Sequence, residues 1–330
     1  MSDPSTQRII LPENRFAKQK QLIEGLVGSD KLQELYNRPR IEHPLKNYID
    51  ICNLMIDQNE LIHLQNNLDK IPLILTVSLD SYIVSKCSSG EGQNLSLGNF
   101  ENYGNDGVVK RIKNRILNPN DFPSLMAEFF CAARFTSYPG RVITALSESE
   151  QRGEKTPDFL LTIEGLDKGI AFDCKRIRSR SQDRAIGDRI TDANRQIRSY
   201  SNRQGEVYGV ALIDVSEKLR QHINNFNAFH GKLNELKEIA RNQIRNQNTS
   251  LSGVLLVWDH FNCADTLEEI IELYSALNIS TEGSLPEKLL LFIRSGEFIP
   301  HDAPNHQIPS DFVHKLFNNW GMTTCVDFYN

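Results

Sequence analysis

Apolar positions in residues 120–300 follow two alternating periods, one typical of strands and one typical of helices. Between Asp183 and Asn202, apolar residues recur every three or four positions, which predicts an amphipathic helix. Short apolar runs separated by such helical patterns predict an α/β domain whose sheet is covered on both faces. The predicted strands are Arg141–Ser147, Phe159–Ile163, Gly169–Ile177, Val207–Val215, Gly253–Trp258 and Lys288–Arg294, and the other predicted helices run from Asp121 or Ser124 to about Phe135, over Leu219–Asn248 and over Thr266–Leu277.

Helical spacing also marks the first part of the chain, in three blocks that begin near Phe16, Leu45 and Leu61. Residues 85–107 are rich in Ser, Gly and Asn, which indicates a loop or a hinge. We therefore expect a smaller, mainly helical domain over residues 1–118, serving recognition, regulation or dimerisation, and a second domain over residues 119–330.

Composition narrows the class of protein. Hydrophobic residues make up 39% of the chain and charged residues 24%, which is an ordinary globular balance. No run approaches the roughly 18–20 apolar residues that cross a bilayer, and the N-terminus has no secretory pattern, so we expect no membrane and a cytoplasmic location. The six cysteines form no C-x-x-C pair, which disfavours zinc and predicts free buried thiols. The net charge of −5 argues against a protein that coats nucleic acid non-specifically. A local positive field is nevertheless enough for nucleic acid to bind in a cleft.

Candidate chemistry is concentrated around Asp158, Asp173 and Lys175. Side chains alternate along a strand, so Asp173 and Lys175 are expected on one face and their neighbours Phe172 and Cys174 on the other. Charges in so apolar a strand are costly unless they are paired or bind a metal. If the strands containing Asp158 and Asp173 form a hairpin, their carboxylates approach and repel, and a divalent cation relieves the conflict. Oxygen ligands of this number predict Mg²⁺, with Mn²⁺ as a substitute.

A third acid, Glu128, lies in an apolar helical stretch. It either points at the cation site or pairs with Arg134 or another base. For Asp158 the simpler alternative is a turn residue after Pro157, and for Asp173 and Lys175 it is a salt-bridged surface strand.

The motif Pro157-Asp158 followed by Asp173-Cys174-Lys175 resembles the PD-(D/E)XK nuclease superfamily, which includes many restriction endonucleases. Glu128 is similar to the acid that many members carry on the helix before the sheet, and Gln196 to a glutamine on the helix after the third strand. The resemblance covers roughly residues 120–260. It implies a restriction-endonuclease-like mixed central sheet flanked by helices.

The resemblance also implies roles for these residues. Asp158, Asp173, the Cys174 carbonyl and Glu128 would bind the metal, Lys175 would position the attacking water, and Gln196 would complete the catalytic set. The expected activity is metal-dependent phosphodiester hydrolysis, giving 5′-phosphate and 3′-hydroxyl products. By analogy with the fold, we expect an endonuclease that acts in restriction or phage defence, with a homodimer for double-strand cutting and with DNA favoured over RNA.

A local excess of positive charge follows the catalytic strand. Residues 175–203 contain nine lysines and arginines against three aspartates. One interpretation of this segment is a helix face that only contacts solvent. The functional interpretation is a surface beside the active site that contacts phosphate groups. The predicted nucleic-acid contacts are Arg176, Arg178, Arg180, Arg184, Arg195 and Arg198.

Three other functions compete with this one on the sequence alone. An RNA-directed nuclease or toxin-like effector would share the same catalytic residues. A nucleic-acid-binding module without cleavage is disfavoured by the complete Asp, Asp and Lys set. An unrelated nucleotide-binding α/β enzyme is disfavoured because neither G-x-x-x-x-G-K-[ST] nor G-x-G-x-x-G occurs.

Overall fold

The computed structural model contains a mixed sheet of eight strands with helices against it. It describes residues 6–8, parts of 17–37, 43–56, parts of 114–135, 140–146, 156–222, 226–245, 250–264, 266–276, residue 285, 288–303 and 306–328 without residue 319. The strands are β1 (Thr6–Arg8), β2 (Arg141–Ala145), β3 (Phe159–Ile163), β4 (Ile170–Arg176), β5 (Tyr208–Asp214), β6 (Leu251–Ala264), β7 (Lys288–Pro300) and β8 (Gly321–Phe328). The helices are α1 (Ser29–Tyr36), α2 (Pro44–Ile56), α3 (Ala185–Gln204), α4 (Ser216–Leu219), α5 (Phe226–Arg245), α6 (Leu267–Ala276) and α7 (Ser310–Phe317).

The order of strands across the sheet is β1-β8-β7-β6-β5-β4-β3-β2. Strands β4, β5 and β6 are parallel, and helices α3, α4 and α5 lie in the two connections between them. Strand β3 is antiparallel to both of its neighbours, β2 and β4, and β7 is antiparallel to both β6 and β8. The expected α/β class with a mixed sheet flanked by helices is therefore confirmed.

One face of the sheet is covered by α3 and α5. The predicted apolar stripe of α3 is fully buried from Ile186 to Ile197, and it packs on Ala171 of β4 and Ala211 of β5. A stripe of this width at helical spacing is what fixes the rotation of α3 about its axis. Because that rotation is fixed, the positions beside the stripe are also fixed, and Gln196 is one of them.

The opposite face carries an aromatic cluster. Phe172 of β4 stacks on Phe159 of β3 with ring centroids 4.9 Å apart. Phe135 lies against Phe172 at 4.8 Å and against Trp320 at 4.7 Å. Helix α7 joins this layer through Phe317, which lies edge-on to Phe135. The even-numbered positions of β4 are therefore anchored in a core, which orients its odd-numbered positions toward α3.

Several sequence predictions differ from the structure at their ends. Strand β6 continues past the predicted end at Trp258 to Ala264, and β7 continues past Arg294 to Pro300. The predicted helix over Leu219–Asn248 begins only at Phe226, after the short helix α4 and a 3₁₀ turn. Helix α7 and strand β8 follow His301, where the sequence predicted no regular element.

The N-terminal part of the chain is described only in pieces. Helices α1 and α2 agree with the first two helical blocks, whereas the block near Leu61 and the expected hinge at residues 85–107 lie outside the described residues. Strand β1 pairs with β8, so this part contributes to the sheet as well. The domain boundary at residue 118 stays a prediction. Of the cysteines, Cys52 and Cys174 are buried thiols, as expected.

No helix within the described parts of the chain combines the length and the apolar character needed to cross a bilayer.

Gly253 of β6 should be intolerant of substitution. A Cβ atom there would meet the Phe298 ring and would lie 2.7 Å from the Ile299 carbonyl oxygen. We expect Gly253→Ala to lower the free energy of unfolding by about 1–3 kcal/mol, as overpacking does. The matched control is Gly231→Ala in α5, where a Cβ meets no atom within 4 Å and where alanine should stabilise the helix by about 1 kcal/mol. Urea denaturation of both variants measures the difference, and equal changes would contradict the assigned packing.

Candidate active site

Strand β4 places Asp173 and Lys175 on the face covered by α3. Lys175 Nζ lies 2.7 Å from Asp173 Oδ2, and the Asp173 side chain is fully buried whereas that of Lys175 is 19% exposed. Phe172 points to the opposite face, into the aromatic cluster. The expected alternation along this strand is confirmed, and a buried ion pair lies under α3.

Asp158 reaches the same place from the start of β3. Because β3 runs antiparallel to β4, the first residues of β3 lie beside the last residues of β4. The Asp158 amide donates to the Phe172 carbonyl at 2.8 Å, and Asp158 Oδ2 accepts from the Cys174 amide at 2.7 Å. The carboxylate thus takes the place of a ladder carbonyl as the acceptor for the Cys174 amide. This hydrogen bond to β4 argues against the alternative that Asp158 is only a turn residue.

Gln196 of α3 connects the other members of the site. With its amide assigned from the hydrogen-bond partners, the nitrogen donates to Asp173 Oδ1 at 3.1 Å and to the Thr156 carbonyl at 3.0 Å. Its oxygen accepts from Lys175 Nζ at 3.3 Å. Gln196 is itself buried, so it holds both charged groups in one orientation. The structure therefore brings together four of the predicted catalytic residues: Asp158, Asp173, Lys175 and Gln196.

The electrostatics of this cluster favour a cation. Burial and then the nearby charge of Asp158 raise the pKa of Asp173 far above its ordinary value, although the Lys175 ammonium opposes the shift. Burial alone would lower the pKa of Lys175, but the charges of Asp173 and Asp158 outweigh burial and raise that pKa. Lys175 therefore stays protonated, and the two carboxylates still carry a repulsion that one ammonium does not cancel.

The residues present fit a divalent cation held by a small set of oxygens. In a strand, the amide and the carbonyl of one residue point to the same side, so the Cys174 carbonyl faces the side on which its amide meets Asp158. Two carboxylates and a carbonyl, completed by water or phosphate, match the preference of Mg²⁺. Within the described residues, no group of three or more His, Cys, Asp and Glu side chains is arranged to hold a metal. The fit is thus to a sparse site that relies on solvent or substrate oxygens.

Glu128 approaches the cluster but is engaged by a base. Arg115 Nη1 donates to Glu128 Oε2 at 2.6 Å, and Nη2 donates to Oε1. The charge of Glu128 still contributes to the raised pKa of Asp173. Of the two roles left open by the sequence, the structure has the pairing with a base, and that base is Arg115. The role of Glu128 as a metal ligand stays a prediction, and Arg134 lies outside the described residues.

Arg115 is the member of this region that the sequence did not indicate. It lies thirteen residues before Glu128, in a segment that was assigned to the end of the N-terminal domain. No motif connects the two positions. The one signal available in the sequence was a basic residue placed shortly before the helix that contains Glu128.

The predicted phosphate contacts are not all on the side of the site. Arg176 points to the opposite face, where Nη1 lies 3.8 Å from Asp214 Oδ2 and Nε lies 3.9 Å from Glu217 Oε2. Arg178 is exposed and donates to Asn120 Oδ1 at 2.7 Å. The structure thus commits Arg176 to two acids on the other face, while the three arginines Arg178, Arg180 and Arg184 are exposed near the start of α3.

The rotation of α3 separates its arginines into two groups. At about 100° per residue, positions seven before and seven after Gln196 return to within roughly 20° of it, whereas Arg195 lies about 100° and Arg198 about 160° away. The positions aligned with Gln196 are Arg189 and Arg203. Arg198 donates to Ser250 Oγ at 3.3 Å on the outer side, whereas Arg195 donates to Asp192, which also lies 3.7 Å from Arg189. Arg189 and Arg203 both belong to the positive segment 175–203, but the sequence did not predict them as nucleic-acid contacts.

No family model matches the chain, and no curated protein or solved structure matches it either. A function is therefore inferred from the geometry of the chain's own side chains.

Proposed function

We propose that this chain is a nuclease that hydrolyses phosphodiester bonds with the help of a divalent cation, on a restriction-endonuclease-like fold, and that DNA is its substrate. The observation that carries the proposal is the buried contact of Asp173 with Lys175 and Gln196, with Asp158 hydrogen-bonded to the intervening residue Cys174. If Asp173 and Lys175 formed only a structural ion pair, the second carboxylate of Asp158 beside them would cost free energy and serve no purpose.

The cation would be held by Asp158, Asp173 and the Cys174 carbonyl. Bound there, it would supply a Lewis acid that activates water and neutralises phosphate charge. Lys175 holds its proton and donates to the negative charge that develops on a phosphate oxygen. Gln196 fixes the direction of the Lys175 ammonium and keeps Asp173 turned toward the site.

A substrate phosphate would meet the Lys175 ammonium, because 19% of the Lys175 side chain is exposed whereas Asp173 is fully buried. We place the approach of the substrate along the edge of α3 on which Gln196 lies, since Gln196 contacts Lys175 there. The phosphate backbone of a nucleic acid presents single charged groups at regular spacing, which suits a narrow approach lined by arginine.

The substrate class is tested by parallel digestion. Duplex DNA, single-stranded DNA and RNA are incubated with the purified full chain in Mg²⁺, in Mn²⁺ and in chelator. The proposal predicts cleavage of DNA with either cation and none in chelator. Cleavage of RNA alone would support the effector alternative, and cation-independent binding without cleavage would support the binding module.

The arginines aligned with Gln196 should matter more than those on the outer side of α3. We expect Arg189→Ala and Arg203→Ala to weaken binding of duplex DNA about 3- to 30-fold each and to lower the slope of log affinity against log salt by about one. Arg198→Ala is the matched control, because it removes the same charge from the outer side of the same helix. Fluorescence anisotropy in Ca²⁺ at several salt concentrations measures both quantities. Equal losses in all three variants would contradict the assigned orientation.

A further inference from the structure

We propose that Arg115 holds Glu128 out of the metal site, so that the site binds one divalent cation and not two. The inference rests on the proposed function, because it concerns the cation that the proposed reaction uses. It assigns Arg115 the part of a positioning residue, and it removes Glu128 from the ligands that the family resemblance implies.

The first support is the geometry of the pair. Each of the two terminal nitrogens of Arg115 donates to a different oxygen of Glu128. Such a fork is the strongest arrangement available to a guanidinium and a carboxylate, and it leaves no oxygen of the acid without a cationic partner. The exposed fractions of the two side chains are 18% and 10%, so solvent competes little with the pair.

The second support is the position of the positive charge. Besides Glu128, the carboxylates of Asp158 and Asp121 contribute to a raised pKa of Arg115, although burial opposes the shift. The guanidinium is therefore permanently charged and lies within electrostatic reach of Asp158. A second cation shared by Asp158 and Glu128 would have to approach this charge and break the fork at the same time.

The third support is the number of ligands that remain. Asp158 is hydrogen-bonded to Cys174 of β4, and Asp173 is part of the same strand. No third His, Cys, Asp or Glu side chain completes a metal cluster with them among the residues that the structure describes. Two carboxylates and a carbonyl are enough for one cation with several waters, but not for two.

The test counts ions on the purified full chain. Mn²⁺ is titrated into the protein without nucleic acid, and free Mn²⁺ is followed by its electron paramagnetic resonance signal. The wild type should bind one ion. Glu128→Gln should also bind one, with an affinity within about threefold of the wild type, because the removed charge belongs to the Arg115 pair and not to the ion.

Arg115 is then replaced by a neutral residue and, separately, by another positively charged residue. Arg115→Gln should gain a second Mn²⁺ because it removes the guanidinium that occupies both oxygens of Glu128, whereas Arg115→Lys should keep one. The double variant Arg115→Gln with Glu128→Gln should return to one ion, which shows that Glu128 supplies the added site. Circular dichroism confirms the fold of each variant, and if Arg115→Gln does not fold, the wild type and Glu128→Gln still decide.

The outcomes separate this inference from the proposed function. Two ions on the wild type, a loss of the first ion in Glu128→Gln, or a single ion in folded Arg115→Gln would each overturn the inference while the nuclease proposal stands. A wild type that binds no Mn²⁺ and cuts no nucleic acid would overturn both.

Discussion

Asp173→Asn should abolish cleavage while leaving the metal-free protein at least as stable as the wild type. Loss of the carboxylate removes one of the two acidic oxygen ligands, and we expect the rate to fall by at least about 10³-fold. The same change relieves a cost in the folded state, because burial and the neighbouring Asp158 raise the pKa of Asp173 and so oppose its ionised form. The asparagine oxygen can still accept from Lys175.

Cleavage rates in Mg²⁺ and melting temperatures in chelator measure the two effects. Asp167→Asn is the matched control, since Asp167 is exposed in the turn at the far end of the β3–β4 hairpin and accepts from Tyr208. It should cut normally. A melting temperature that falls in Asp173→Asn would show that the carboxylate stabilises the fold, and undiminished cutting would exclude Asp173 from the reaction.

Lys175→Met should lose cleavage by about 10²–10³-fold yet keep its affinity for Mn²⁺. The methionine fills most of the space of the lysine stem but cannot donate to a phosphate oxygen. The two carboxylates remain, and they no longer share their charge with an ammonium that lies 2.7 Å from one of them. Mn²⁺ affinity should therefore be equal or higher.

The control for this variant is Lys168→Met, which removes a lysine that lies 2.6 Å from Glu206 in the far turn. Single-turnover cleavage and Mn²⁺ titration are made on both proteins. The contrast between a variant that loses the ion, Asp173→Asn, and one that keeps it, Lys175→Met, separates metal binding from catalysis. Loss of Mn²⁺ binding in Lys175→Met would contradict these roles.

The strands and the helix that build the site were predictable because their patterns are local. Strand β3 has the predicted bounds Phe159–Ile163, and β4 differs from its prediction by one residue at each end. Alternation along β4 predicted that Asp173 and Lys175 share a face, and the stripe of α3 predicted its buried side. Gln196 was indicated by the resemblance to the PD-(D/E)XK superfamily, and it lies at the edge of that stripe.

The extended ends of β6 and β7 depend on pairing that the sequence does not display. Asp259 and Arg294 lie opposite each other in the two strands, and Arg294 Nε donates to Asp259 Oδ1 at 2.6 Å. Each charge alone indicates the end of a strand. Only their contact across the ladder makes both compatible with a buried position, and that contact joins residues 35 positions apart.

Strand β8 and the fork of Arg115 with Glu128 were missed for the same reason. The described partner of β8 on its outer side is β1, at the other end of the chain, so no local period indicates the pairing. The fork depends on how the segment before residue 120 lies against the Glu128 helix, which is a matter of tertiary packing. Assignment of Glu128 from the motif alone therefore included an acid whose charge is already compensated.

Anomalous diffraction from crystals grown in Mn²⁺ shows whether a metal ion binds between Asp158 and Asp173. We predict one peak at about 2.0–2.3 Å from carboxylate oxygens of both residues, on the side of β4 that the Cys174 carbonyl faces. Crystals of Asp173→Asn should lack it. A wild-type structure with no peak between these two acids, in crystals that hold Mn²⁺ at other positions, would contradict the metal site and with it the proposed nuclease.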